Sequence, residues 1–411
     1  MLQELGTGMS EARLERITDL LERRYVEPGK IAGCQALVAR RGRIAYRRSF
    51  GRMDIARAKP MADDAILRIY SMTKPITSLA LMMLFERGLF QLDEPVRNVL
   101  PEWGNQKVWI SGSGEDMEVR APDRPVSFRD LLRHTSGLTY GALLEQVGAP
   151  PSQDPVDLAY KALRVRRDAE EGFDQFTEKL GQVPLKYQPG TRWMYSLATD
   201  VCGVLVERLS GRPFAQFLQA EIFQPLGMVD TAFHVPEEKA HRFAANYGRR
   251  ADKTLALLDD PETSAFLREP QFHSGGGGLV STLEDYRRFC EMLRRGGELD
   301  GARLVGPRTL ALMHKNHLAG GRTLTEMAID SFSETASQGV GFGLGFAMTQ
   351  DEVQAGSLGQ GDYYWGGAAS TIFWVDPAED MIVIFLTQLM PSTTFNFRGQ
   401  LKNIIYSSIE S

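Results

Sequence analysis

The chain has 411 residues, 43% of them apolar and 24% charged, and a net charge of −5. That length exceeds one compact core and predicts two lobes. The mild acidity leaves no basic field for nucleic acid or anionic lipid, and no apolar run approaches the length needed to cross a bilayer.

Leu14, Ile17, Leu20 and Leu21 recur at helical spacing and predict a helix over residues 11–25 that packs by one face. The N-terminal segment is charged and amphipathic, without the apolar stretch of a secretory signal, so a cytoplasmic location is expected. The run "CQALVARRGRIAYRRSFG" predicts a β-hairpin turning at Arg41-Gly42. Near the other end, "GFGLGFAMT", "ASTIFWVDP" and "MIVIFLTQL" predict strands, the last two joined by the turn "DPAED". "TFNFRGQLKNIIYSSIE" predicts a closing helix. An antiparallel sheet built from both chain ends, with the terminal helices on one face, is the expected α+β arrangement. The sheet domain is assigned to residues 1–92 and 321–411, and a mainly helical inserted domain to 93–320. Within that insert, "SFRDLLRHTSG", "DVCGVLVERLSG" and "TLEDYRRFCEMLRRGG" predict helices, each closed by a glycine. The three cysteines, Cys34, Cys202 and Cys290, are far apart and odd in number, which fits buried thiols in a reducing compartment. The six histidines show no metal-ligand spacing, so neither a metal nor a cofactor is expected.

The chemistry centres on "LRIYSMTKPITSLALMMLFERG", residues 67–88. Ser71 and Lys74 form the chain's single Ser-x-x-Lys. Residues three apart share a helix face, and Pro75 suits a first helical turn. Ser71 then sits at a helix N-terminus, where free N–H groups favour developing negative charge. A serine hydroxyl needs a base or a local field to become a nucleophile, and a desolvated lysine supplies one. From these two residues alone, an N-cap serine beside a lysine reaching to solvent explains the pattern as well.

Further blocks follow in order: "LLRHTSGL" at 131–138, "YQPGTRWMYSLATDVCGVLVERLSGRPF" at 187–214, "GGGGLVSTLEDYRRF" at 275–289 and "YWGGAASTIFWVDP" at 364–377. With "SMTK" they make the chain resemble the serine β-lactamase and penicillin-binding-protein-like superfamily, and more closely the family VIII carboxylesterases, over about Ile31 to Ile405. The resemblance implies a β-lactamase/transpeptidase-like fold, an antiparallel sheet flanked by helices plus a mainly helical lobe. It implies a serine hydrolase acting on short-chain acyl esters through an acyl-serine intermediate. Ser71 matches the nucleophile, Lys74 its paired lysine, and Tyr195 the tyrosine that opens the second motif and moves the serine proton. Trp365-Gly366-Gly367 falls on the third motif and lines the substrate site. The N–H of Ala368, with that of Ser71, would form the oxyanion hole. Tyr140 is a further candidate for the site wall, or a packing residue. Trp193 is likewise wall or core.

Two departures from the superfamily pattern matter. The second motif is Tyr195-Ser196-Leu197, without the asparagine, and the third begins with Trp365 instead of lysine. Both handles for a β-lactam or peptide substrate are missing, and an aromatic wall favours uncharged acyl groups. The expected partner is therefore a small-molecule ester. Acyl transfer to an alcohol and β-lactam or D-Ala-D-Ala peptide hydrolysis are the alternatives. A non-catalytic binding role is disfavoured because all three catalytic side chains are present. His134 precedes a scaffold segment and is not expected to join a Ser-His-Asp triad. "HSGGGG" at 273–278 lacks the Gly-x-Ser-x-Gly partner of a lipase oxyanion loop and is expected to be a structural turn.

Overall fold

The protein is described by a computed structural model covering residues 6–141, 143, 151–165, 171–328 and 338–411. Among the described residues, an eight-stranded antiparallel sheet is built from both ends of the chain. Its strands are β1 (Gly33–Arg40), β2 (Arg43–Asp54), β3 (Lys59–Pro60), β4 (Val340–Phe342), β5 (Ala347–Thr349), β6 (Tyr363–Gly367), β7 (Thr371–Asp376) and β8 (Met381–Thr387). The spatial order is β4-β5-β6-β7-β8-β1-β2-β3. The two ends join where β1 pairs with β8, from Cys34 opposite Thr387 to Arg40 opposite Met381.

Both faces of the sheet are covered. Ile372 lies opposite Phe385, and Phe373 opposite Ile384. Cross-strand partners share a face and successive residues alternate, so these two pairs point to opposite sides. Phe373 meets Tyr286 of the helix Leu283–Arg294, with ring centres 5.1 Å apart. Phe385 meets Phe397 of the closing helix Phe397–Ser407 at 4.7 Å. Tyr25, from the predicted N-terminal helix, also meets Phe397, with ring centres 4.8 Å apart. That explains why β1, β7 and β8 read as near-continuous apolar runs: they are buried along their whole length.

The span between the two halves of the sheet is rich in helices. Helix Thr73–Glu86 is buried on every side from Thr73 to Leu84 and packs against helix Ala198–Ser210. A helix apolar all round belongs in a core. Helix Ala198–Ser210 ends at Gly211 in the left-handed conformation, as its sequence predicts. Helix Phe128–Leu132 departs from expectation. It ends at Leu132 with Arg133 as its C-cap, and His134, left-handed at φ 56°, follows three residues before Gly137. Arg133 and Thr135 both hydrogen-bond to Asp130, which turns the chain before the glycine is reached. A small sheet of Asn246–Arg249, Leu255–Asp259 and Leu389–Met390 was not anticipated. Its strands are short, and it ties the middle of the chain to the segment after β8.

Cys34, Cys202 and Cys290 are buried free thiols, and burial pushes all three well above the ordinary thiol range. Among the described residues no helix is long and apolar enough to cross a membrane.

Candidate active site

Two short strands, Leu67–Arg68 and Val280–Ser281, pair just ahead of Ser71. The chain then makes a tight turn over Tyr70–Met72 and enters helix Thr73–Glu86. Tyr70 holds φ 41°, a region that bulky residues avoid. Its hydroxyl accepts a hydrogen bond from Asn246 Nδ2 at 3.1 Å, which helps hold the corner. The consequence is that Ser71 stands at the mouth of the helix, beside N–H groups with no intrahelical partner.

Ser71 is 7% exposed and Lys74 only 2%. A lysine so buried must be solvated by the protein. Lys74 Nζ donates to Ser71 Oγ at 3.2 Å and to the Gly276 carbonyl oxygen at 2.5 Å. The same nitrogen lies 4.5 Å from the ring centre of Tyr195 and 5.8 Å from that of Tyr140, distances at which a ring face stabilises a cation. Tyr195 is itself buried, and its Oη accepts from Trp365 Nε1 at 3.1 Å. Ser71, Lys74, Tyr195, Tyr140 and Trp365 are thus brought together from four distant parts of the sequence.

Around them is a packed set of rings. Trp193 lies parallel to Tyr195 with centres 6.1 Å apart, Tyr140 and Trp365 both meet Tyr195 edge-on at 5.3 Å, and Phe342 meets Trp365 at 5.3 Å. Trp193 is therefore core to Tyr195. Phe342 had not been picked out in the sequence, where it reads as one more strand residue.

Gly366 and Gly367 close β6. Gly367 lies flush against the turn that carries Ser71: a side chain there would collide with the Ile69 carbonyl oxygen. This close approach brings the end of β6 to the turn that carries Ser71. Ala368, half-buried, opens the turn that follows.

His134 touches Tyr195 edge-on at 5.0 Å. Its ring nitrogens engage Ser196 Oγ at 3.3 Å and Thr199 Oγ1 at 3.4 Å. Burial, reinforced by the charge of Lys74, holds its pKa well below the ordinary histidine value. It is a neutral packing residue behind Tyr195. The glycine segment 273–278 has more than the structural role expected of it, since the Gly276 carbonyl accepts a hydrogen bond from Lys74 at 2.5 Å. A backbone carbonyl leaves no side-chain signature in a sequence. Among the described residues there is no cluster of three or more His, Cys, Asp or Glu side chains suited to a metal ion.

The chain belongs to the beta-lactamase family, whose sequence model, described as Beta-lactamase, matches residues 18–404. Esterase EstB of Burkholderia gladioli is 33% identical over 405 residues, covering 93% of this chain and 91% of that protein. Protein Rv1367c of Mycobacterium tuberculosis (strain ATCC 25618 / H37Rv) is 33% identical over 374 residues, covering 90% and 88%. Among solved structures, EstCE1, described as a hydrolase with promiscuous acyltransferase activity, matches with a TM-score of 0.78 at 26% identity, covering 96% of this chain and 99% of that one. The fold is β-lactamase/transpeptidase-like, and the protein is an enzyme of the serine-hydrolase type.

Proposed function

We propose that the protein is a carboxylesterase of the family VIII type, hydrolysing short-chain acyl esters through an acyl-Ser71 intermediate. The observation that carries this reading is the buried Lys74 ammonium, 3.2 Å from Ser71 Oγ and 4.5 Å from the Tyr195 ring. Ser71 Oγ attacks the ester carbonyl while its proton passes to the Tyr195 oxygen. Lys74 favours the anionic form of that oxygen by its charge, and Trp365 Nε1 by its hydrogen bond. The oxyanion is held by the N–H groups of Ser71 and Ala368. The proton on Tyr195 goes to the departing alkoxide, which leaves as the alcohol. Water then enters, gives its proton to Tyr195, and attacks the acyl carbon. Collapse frees the carboxylic acid and returns the proton to Ser71 Oγ. The similarity to an esterase over most of both chains supports ester chemistry.

A second reading differs only in the acceptor. EstCE1 is described as having acyltransferase activity as well, and an alcohol in place of water would give transfer to a new ester.

The test is covalent labelling. A fluorophosphonate followed by peptide mass mapping is expected to modify Ser71, and Ser71→Ala to abolish both label and turnover. Label on Ser136 or Ser196 instead, with turnover retained in Ser71→Ala, overturns the assignment. Adding a competing alcohol and measuring new ester against free acid separates hydrolysis from transfer.

A further inference from the structure

Five residues after Tyr195, Asp200 sits in the first turn of helix Ala198–Ser210 and is fully buried. An acidic side chain there is favoured by the helix dipole. The carboxylate is directed at the glycine turn: Oδ1 accepts from Ser274 Oγ at 2.5 Å and from the Gly276 N–H at 3.0 Å. Its other oxygen has no hydrogen-bond partner, an expense that buried carboxylates seldom carry without cause. Gly276 is pressed so closely against it that a Cβ would lie 2.5 Å from Oδ2. The same turn is strapped from the other side, where Thr77 Oγ1 donates to the Gly275 carbonyl at 2.8 Å and Leu279 N–H donates to Thr73 Oγ1 at 3.2 Å. Asp200 and the nucleophile helix therefore grip one short segment between them, and the carbonyl that leaves this grip is the one on Lys74.

We infer that Asp200 is a positioning residue for Lys74: by holding the Gly276 N–H, in the Gly275–Gly276 peptide unit, it anchors the residue whose own carbonyl, in the next peptide unit, holds the ammonium against Ser71. This rests on the acyl-Ser71 reading. Without Asp200 the turn keeps its contacts to Thr73 and Thr77 but loses the anchor at Gly276. Lys74 then has a second resting place away from Ser71, and the fraction of enzyme poised for attack falls. Substrate meets the ring wall and the oxyanion donors as before, so the loss falls on kcat and not on KM.

Asp200→Ala, Asp200→Asn, Ser274→Ala and Ser71→Ala are compared with p-nitrophenyl butyrate, each checked for folding by circular dichroism and thermal unfolding. Losing a buried charge-assisted hydrogen bond predicts a kcat about 10- to 100-fold lower in Asp200→Ala, with KM within about twofold. The rate of fluorophosphonate labelling should fall in parallel. Asp200→Asn keeps an oxygen acceptor in place and should lose no more than about threefold. A folded Asp200→Ala with wild-type kcat and labelling rate overturns the inference. So does Asp200→Asn as damaged as Asp200→Ala, because then the acceptor at Gly276 is not what matters. Should Asp200→Ala not fold, Ser274→Ala decides: it removes one of the two donors that orient the carboxylate and should show a smaller loss in kcat alone, whereas an unchanged kcat overturns the inference. Activity retained in Ser71→Ala breaks the acyl-serine reading itself. An inert Ser71→Ala beside an unaffected Asp200→Ala breaks only the role given to Asp200.

Discussion

The two flanks of Ser71 are made of different material. On the Lys74 side, apart from the ring faces of Tyr195 and Tyr140, the contacts are single polar atoms at 2.5–3.2 Å: the backbone carbonyl and N–H of Gly276, the Ser71 hydroxyl, and the Asp200 carboxylate oxygen behind them. On the Tyr195 side the contacts are ring on ring, at 5.0–6.1 Å between centres, spread over Tyr140, Trp193, His134 and Trp365. A hydrogen bond is lost by removing one atom, whereas ring packing is lost by volume. The first flank should therefore govern whether the reaction occurs, and the second which acyl group is accepted. Tyr195 and Trp365 belong to both, because each ring carries one polar atom and the two atoms bond to each other.

The hardest test of this division is the deletion of single polar atoms. Tyr195→Phe removes only an oxygen and leaves the ring stack intact. Lys74→Ala removes the ammonium. Each is expected to lower kcat by at least about 10³-fold, since groups that act as one unit lose most of their effect singly. The measurement is kcat on p-nitrophenyl butyrate with the fold checked by circular dichroism. A folded Tyr195→Phe with near-normal turnover would make Tyr195 a packing residue and erase the distinction between the flanks.

Next in size is the choice between ester and β-lactam. A β-lactam carries a carboxylate, and where the superfamily offers a lysine this chain offers the buried ring of Trp365. Desolvating that carboxylate without a partner is costly. The value of kcat/KM for nitrocefin should therefore lie about 100-fold or more below that for p-nitrophenyl butyrate. Equal values would show that the ring wall does not select, and would revive the β-lactamase alternative.

These predictions draw on features of unequal legibility. The hairpin at Arg41-Gly42, the strands β7 and β8 and the closing helix follow from local pattern alone, because each strand is a sustained run bounded by turn residues and the helix is long enough for its periodicity to show. Ser71, Lys74 and Tyr195 stood out through ordered motifs, and the structure gathers them in one buried cluster. What stayed hidden was set by tertiary contact. The pairing of Leu67–Arg68 with Val280–Ser281 involves two residues a side and has no periodicity to read. The hold of Gly276 on Lys74 is made by a carbonyl, which every residue possesses. Trp365 stood out as the aromatic residue of the third motif, but its donation to Tyr195 depends on ring orientation, which no sequence pattern encodes.

That double nature of Trp365 permits a smaller and more discriminating test. Trp365→Phe keeps a ring and removes the indole donor, so it should act as a lesion of the polar flank: kcat about 10-fold lower, with the order of preference among acyl chains unchanged. Trp365→Leu removes ring volume as well and should also alter that order. Rates for C2 to C8 p-nitrophenyl esters on both variants provide the check. If Trp365→Phe reorders the substrates as Trp365→Leu does, the indole N–H has no separate role.

The finest effect expected is that of one methylene in the acyl chain. Each CH₂ buried in an apolar site contributes roughly 0.8 kcal/mol, or about fourfold in kcat/KM. On the proposed reading, the first few carbons of the acyl chain gain such burial against the rings beside Ser71. Beyond them, among the described residues, the chain meets rings already packed against one another, Trp193 on Tyr195 and Phe342 on Trp365. Forcing carbons into a packed site costs more than their burial returns. Specificity should thus rise from acetate toward butyrate and fall beyond about hexanoate. The polar stretch "GAPPSQDP", residues 148–155, lies partly outside the described residues, so the expectation rests on the rings. A series of p-nitrophenyl esters from C2 to C16 measures it directly. A maximum at C12 or longer would mean that the wall opens to admit a fatty chain, and the aromatic flank would then be a gate instead of a fixed ruler.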